Sequence, residues 1–256
     1  MSRTYKNGYP NEITVSQFTE VPKDAVLGWH FLSKDSTLSF IPKIKIKTGT
    51  LLTMTCEPIL CKQGLHYSEN LSNALGYAGS SILSRVWLGG KIVEDSNKGV
   101  AQQRGVLWVG DVSDILQEFA CSCAEKTLIG AGGADKLLWD ALVTKRAWLK
   151  GKMTNKQLID AYLAICSNYF TYNPGQNDSY YKICSTVRCA TLMNAWEAAY
   201  GAAEMAGYCA ASITRQNTSW DVDDRTRRKI LPNAWSIQNE LLTKMIEKRI
   251  NNDKSR

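Results

Sequence analysis

The chain has 256 residues, 44% of them hydrophobic and 21% charged, which suits a folded globular protein long enough for two cores and excludes a disordered chain. Its formal net charge of +7 excludes an acidic DNA mimic, and no run of about 18 apolar residues offers a membrane-crossing helix. The eight cysteines are scattered, and Met1 to Pro10 holds no apolar leader, so buried free thiols in a cytoplasmic setting are the expectation.

Residues 1–22, polar and broken by Pro10 and Pro22, read as an N-terminal arm with one strand over Ile13 to Phe18. Short β-branched and aromatic runs follow at Ala25 to Leu32, Leu51 to Thr55, Ile82 to Leu88 and Val106 to Val109. Lys43 to Lys47 alternates polar and apolar, as a half-buried strand does. Gly49, Gly64, Gly89-Gly90 and Gly110 punctuate these runs as turns. One short helix is expected among them, capped by Asn70, with Leu71, Ala74, Leu75 and Ala78 on one face.

The period turns helical near Asp111. Ser113 opens a helix that ends at Gly130 to Gly133, and a second runs from about Asp135 to Leu149, closed by Gly151. Thr154 to Gln157 is a capping box for a third helix, which breaks at Asn173-Pro174-Gly175. The segment Ser179 to Ile213 is alanine-rich and suits close helix packing. A polar loop with Asp221, Asp223 and Asp224 precedes a last helix over about Ala234 to Ile250. The expected fold is therefore α+β: an arm (1–22), a β-rich domain with one short helix (23–112), and an all-α helical bundle (113–256).

The positive excess gathers in the C-terminal half, at Arg225, Arg227, Arg228, Lys229, Lys244, Lys248, Arg249, Lys254 and Arg256. A solvated basic helix and tail is the expectation. Nucleic acid is not the favoured partner. Base stacking needs exposed rings beside basic residues, whereas Trp139, Trp148, Trp196 and Trp235 fall on apolar helix stripes and Trp87 and Trp108 in strands.

Gly28-Trp29-His30-Phe31-Leu32 is followed by Cys61-Lys62-Gln63-Gly64-Leu65-His66-Tyr67-Ser68, then Ala74-Leu75 and Tyr77-Ala78, then Val86-Trp87-Leu88-Gly89-Gly90. In this order the elements resemble an uncharacterised domain family of bacteriophage and prophage proteins, over roughly residues 25–112. Trp139 to Leu142, Arg146 to Gly151 and Ala195 to Ala211 are similar to the alanine-rich helical domain of proteins labelled as immunity proteins. The resemblance implies a phage-encoded interaction protein in the host cytoplasm. It would act in phage–host conflict as a counter-defence inhibitor, binding a host protein or a nucleotide-like ligand without turnover. In that reading His66, Tyr67, Glu69, Arg85 and Arg104 bind the ligand beside His30, and the two arginines favour a phosphate. A virion or assembly component, with the alanine-rich helices as a dimer face, is a further alternative.

Gly64-x-His66-Tyr67-Ser68 and the small helix after it also resemble the core of ADP-ribosyltransferases. That likeness implies NAD as cofactor, with Tyr67 stacked on nicotinamide and His30 on a ribose hydroxyl. An acid must steady the oxocarbenium-like ion, and Glu94 is the candidate, with Asp95 and Asp111 as substitutes. Cys56, Cys61, His30 and His66 supply Cys₂His₂ chemistry, but their spacing matches no familiar zinc ribbon, and no metal is expected.

Overall fold

The computed structural model describes residues 3–6, 12–38, 41–133, 135–171, 178–217 and 224–255. The fold is α+β, and contacts divide it into two units: Met1–Val112 with Ile250–Arg256, and Ser113–Arg249. The expected break at Asn173 to Gly175 and the polar loop at Asp221 to Asp223 lie outside the described residues.

The first unit holds a seven-stranded antiparallel sheet. Its strands are β1 (Arg3–Lys6), β2 (Glu12–Gln17), β3 (Val26–Phe31), β6 (Thr50–Met54), β7 (Leu65–Tyr67), β8 (Ile82–Glu94) and β9 (Gly99–Asp111). A separate pair, β4 (Thr37–Leu38) and β5 (Ile41–Lys45), completes the strands among the described residues. The order is β1-β2-β6-β9-β8-β3, with β7 on β9. The strand expected over Ile13 to Phe18 is β2, which pairs with β6, and Ile13 is buried in the core. That core joins Ile13, Leu52, Leu65, Tyr67, Val86, Leu88, Ala101 and Val106. Each such large side chain contributes about 1.5–3 kcal/mol by leaving water.

β8 and β9 are far longer than their apolar runs. They form one hairpin of two 13-residue strands, turned at Asp95 to Lys98, where the Asp95 amide donates to the Lys98 carbonyl at 2.9 Å. Gly89-Gly90 is not a turn. It lies inside β8 at a register shift, and Gly90 has φ +69°, so the pair forms a bulge that bends the strand. Gly105 is seated under the Trp87 indole, where an added Cβ would lie 1.9 Å from Nε1.

Helix α1 (Leu71–Leu75) buries Leu71, Ala74 and Leu75, and Ala78 beyond it is buried too. Asn70 holds the N-cap position with extended backbone, but its side chain makes no capping bond. Asn70 caps through its carbonyl alone, which accepts from the Ala74 amide at 3.1 Å.

The second unit comprises α2 (Ser113–Gly130), α3 (Lys136–Leu149), α4 (Asn155–Thr171), α5 (Asp178–Ala190), α6 (Ala195–Asn217) and most of α7 (Asp224–Lys254). Asp135 caps α3 by accepting from the Leu138 amide at 3.1 Å. The capping box of α4 is reciprocal: the Thr154 amide donates to Gln157 Oε1, and the Gln157 amide donates to Thr154 Oγ1. The alanine-rich segment is two helices, broken at Thr191 to Asn194. Ala198, Ala199 and Ala202 are fully buried where α6 packs on α2 and α5. Helix α7 starts ten residues before the expected Ala234 and runs through Pro232. Trp87 and Trp108 are core as expected, but Trp235 is 41% exposed, its edge against Tyr208. No described helix is long and apolar enough to cross a membrane.

Candidate functional site

Strands β6 and β7 share one edge of β9, β6 over Gln103 to Gly105 and β7 over Gly99 to Ala101. β7 also meets β3, because the Trp29 amide donates to the Ser68 carbonyl at 2.8 Å and the Ser68 amide to the Trp29 carbonyl at 3.0 Å. β3, β8, β9 and β7 thus form a closed circuit of strands. The motif residues sit on this circuit because Gly28 and Gly99 let strands and rings approach closely.

Arg104 lies on β9, opposite Leu52 of β6 and Leu88 of β8, and is 2% exposed. Its Nη1 donates to the His66 carbonyl at 2.7 Å, which ties β9 to β7. Its Nε is buried and has no acceptor, and among the described residues no carboxylate pairs with the guanidinium. Burial lowers its pKa to about 10, so it stays charged near neutral pH. His30 on β3 and His66 on β7 are both half-buried. Burial, then Arg104, then His66 hold His30 well below its ordinary value. Burial, then Arg104 and Lys98 lower His66, against a hydrogen bond that its ring donates to the Gly64 backbone carbonyl. The three form a cationic cluster: one buried guanidinium beside two imidazoles that are neutral at pH 7.

Tyr67 is not open to a ligand's face. It is 3% exposed, and its ring fills the space above two glycines. A Cβ on Gly28 would lie 2.7 Å from the ring, and one on Gly99 2.5 Å. Its hydroxyl donates to the Glu94 carboxylate. Burial first, and then that bond, raise the phenol's pKa. Glu94 is thereby engaged at the mouth of the hairpin rather than beside the histidines. Glu69 is exposed, Asp95 is exposed in the β8–β9 turn and Asp111 is exposed at the end of β9.

Arg85 is placed apart from Arg104. Arg104 shares a face with its partner Leu88, and strand alternation puts Arg85, three residues away, on the other face. There its guanidinium stands 4.2 Å over the Trp29 ring, and Nη1 donates to the Gly28 carbonyl at 3.4 Å. The structure therefore brings together His30, His66 and Arg104, and leaves Arg85, Glu69 and Glu94 outside that cluster. Among the described residues no group of three His, Cys, Asp or Glu side chains could hold a metal ion.

Two features were missed in the sequence. Lys98 sits by His66 and 5.3 Å over the Tyr77 ring, which its place in a hairpin turn did not signal. Lys145 of α3 is fully buried, its Nζ donating to the Leu192 carbonyl at 2.5 Å and lying 4.4 Å from the Trp148 centroid. Burial lowers its pKa to about 8. Its position on the buried stripe of Leu138, Ala141 and Leu142 was the readable signal. Gln117 of α2 donates to the neighbouring Met193 carbonyl at 2.7 Å, so both side chains hold the α5–α6 turn. A cavity of about 310 Å³ in this unit is lined by apolar groups of α2, α6 and α7, including Cys123, Cys209 and Leu241.

The chain matches no family model, no curated protein and no solved structure.

Proposed function

We propose that this chain is a non-catalytic binding protein of the phage interaction type, taking a negatively charged, nucleotide-like ligand or a host protein that presents such a group. The observation that carries the reading is Arg104, a buried guanidinium beside two neutral imidazoles with no carboxylate partner among the described residues. A buried positive charge of this kind favours an anion. The phage origin, the host-cytoplasm setting and the counter-defence role rest on the motif resemblance. The arrangement of α2 to α7 as an independent bundle belongs to the same proposal.

Binding is favoured over transfer by two contacts. Tyr67 is covered, so it offers no stacking face for nicotinamide. Glu94 accepts the Tyr67 hydroxyl and does not stand with His30 and His66. The test is to incubate the purified chain with NAD and follow nicotinamide release, alongside thermal shifts with NAD, ADP-ribose and cyclic oligonucleotides. The expected result is stabilisation by a phosphate-bearing compound and no nicotinamide. Release of nicotinamide at a catalytic rate would overturn the reading in favour of a transferase.

A further inference from the structure

We infer that Arg104, with His30 and His66, is the seat of an oxyanion: the phosphate or carboxylate group by which the ligand is held. The inference rests on the binding reading above and deepens it by naming the contacting residues and the chemical group.

The contrast among arginines carries the argument. Arg146, less buried, bonds Glu118 at 3.2 Å and Glu125 at 2.9 Å. Arg249 pairs with Asp114. Arg104 is far more buried than either, yet among the described residues its one acceptor is the uncharged carbonyl of His66. That carbonyl fixes the guanidinium's position and leaves its charge uncompensated, with Nε bearing a proton that nothing accepts. Buried donors without partners mark a place where something else binds or where stability is given up.

Leu52 and Leu88 flank Arg104, and both are fully buried, so an anion there would meet the guanidinium in a low dielectric. The planar fork of arginine matches the two oxygens of a carboxylate or phosphate. His30 and His66 are half-buried residues of the same cluster; the His66 ring already donates to the Gly64 backbone carbonyl, and the neutral His30 ring has one N–H to offer an incoming oxygen. Lys98, near His66, adds positive charge.

The experiment uses the full chain. Histidine ring resonances are followed by NMR as inorganic phosphate, acetate or adenosine diphosphate is added at constant ionic strength, with chloride as control. Binding of the same probes is then measured calorimetrically for wild type, Arg104→Gln and Arg104→Lys. The expected result is a saturable shift of both histidines with at least one oxyanion, phosphate and acetate separating the two sources. Arg104→Gln should weaken binding by about tenfold or more. Arg104→Lys, which keeps the charge and loses the fork, should retain part of it. If Arg104→Gln fails to fold, the wild-type histidine shifts still decide. Histidines unmoved by every oxyanion would overturn the seat. A nucleotide that binds wild type and Arg104→Gln equally would overturn the seat while leaving the binding reading intact.

Discussion

The hydroxyl of Tyr67 donates to the carboxylate of Glu94 across 27 residues of sequence, and the ring behind it is clamped over Gly28 and Gly99. The residue that resembled a nicotinamide platform is thus a core side chain with a polar tip. Tyr67→Phe removes only that bond and should cost about 1 kcal/mol. Tyr67→Ala empties the seat and should cost about 3–5 kcal/mol. Gly99→Ala drives a Cβ into the ring and should cost about 1–3 kcal/mol. A double-mutant cycle with Tyr67→Ala, read by urea denaturation, should recover most of the Gly99→Ala loss, because the clash partner is gone.

Acid should destabilise the first unit through its histidines. Both have folded pKa values below the ordinary 6.5, so the unfolded chain binds more protons as pH falls below that value. Their contribution is therefore complete above about pH 6.5 and is lost as pH falls toward the folded values. The groups that oppose protonation are Arg104 for both, His66 for His30 and Lys98 for His66. Urea midpoints measured from about pH 7.5 down to about pH 5 should fall for wild type and fall less for the double variant His30→Asn/His66→Asn. Equal slopes would remove the histidines from the account.

Lys145 tests the second unit. Lys145→Ala leaves a cavity under Trp148 and orphans the Leu192 carbonyl, and should cost about 2–5 kcal/mol. Lys145→Met keeps the methylenes and removes the buried charge, and should cost less than Lys145→Ala. The folded pKa of about 8 lies below the ordinary 10.5, so the lysine's contribution grows as pH rises between those values. The stability difference between wild type and Lys145→Met should shift in favour of wild type over that range. A difference that does not change with pH would argue against a depressed folded pKa.

Asp135 joins two roles. It caps α3 and accepts the Tyr180 hydroxyl of α5 at 2.5 Å. Asp135→Ala should cost more than the ~1 kcal/mol typical of a lost cap, about 2 kcal/mol in thermal unfolding. Tyr180→Phe, which keeps the cap and loses the hydroxyl bond, should reproduce only the second part of that loss.

Local chemistry made much of the fold legible. The capping box at Thr154 and Gln157 and the apolar face of α1 follow from spacing within one turn of helix. What stayed hidden depends on partners distant in sequence. Gly89-Gly90 looks like a turn because nothing local says that Gln102 and Gln103 continue the ladder opposite a bulge. The length of β9 was masked by Gln102, Gln103 and Arg104, polar residues in the middle of a strand. Arg104 was named as a ligand residue with Arg85, but only the register of β8 separates their faces. The pairing of His30, His66 and Arg104 needs β7 to close onto β3 through Ser68, a contact no motif spells out.

The most direct measurement is the melting temperature of the full chain with adenosine diphosphate and, in parallel, with adenosine. A seat built on Arg104 should give a saturable rise with the diphosphate and none with the nucleoside. Equal responses to both, or no response to either, would contradict an anion-centred binding protein.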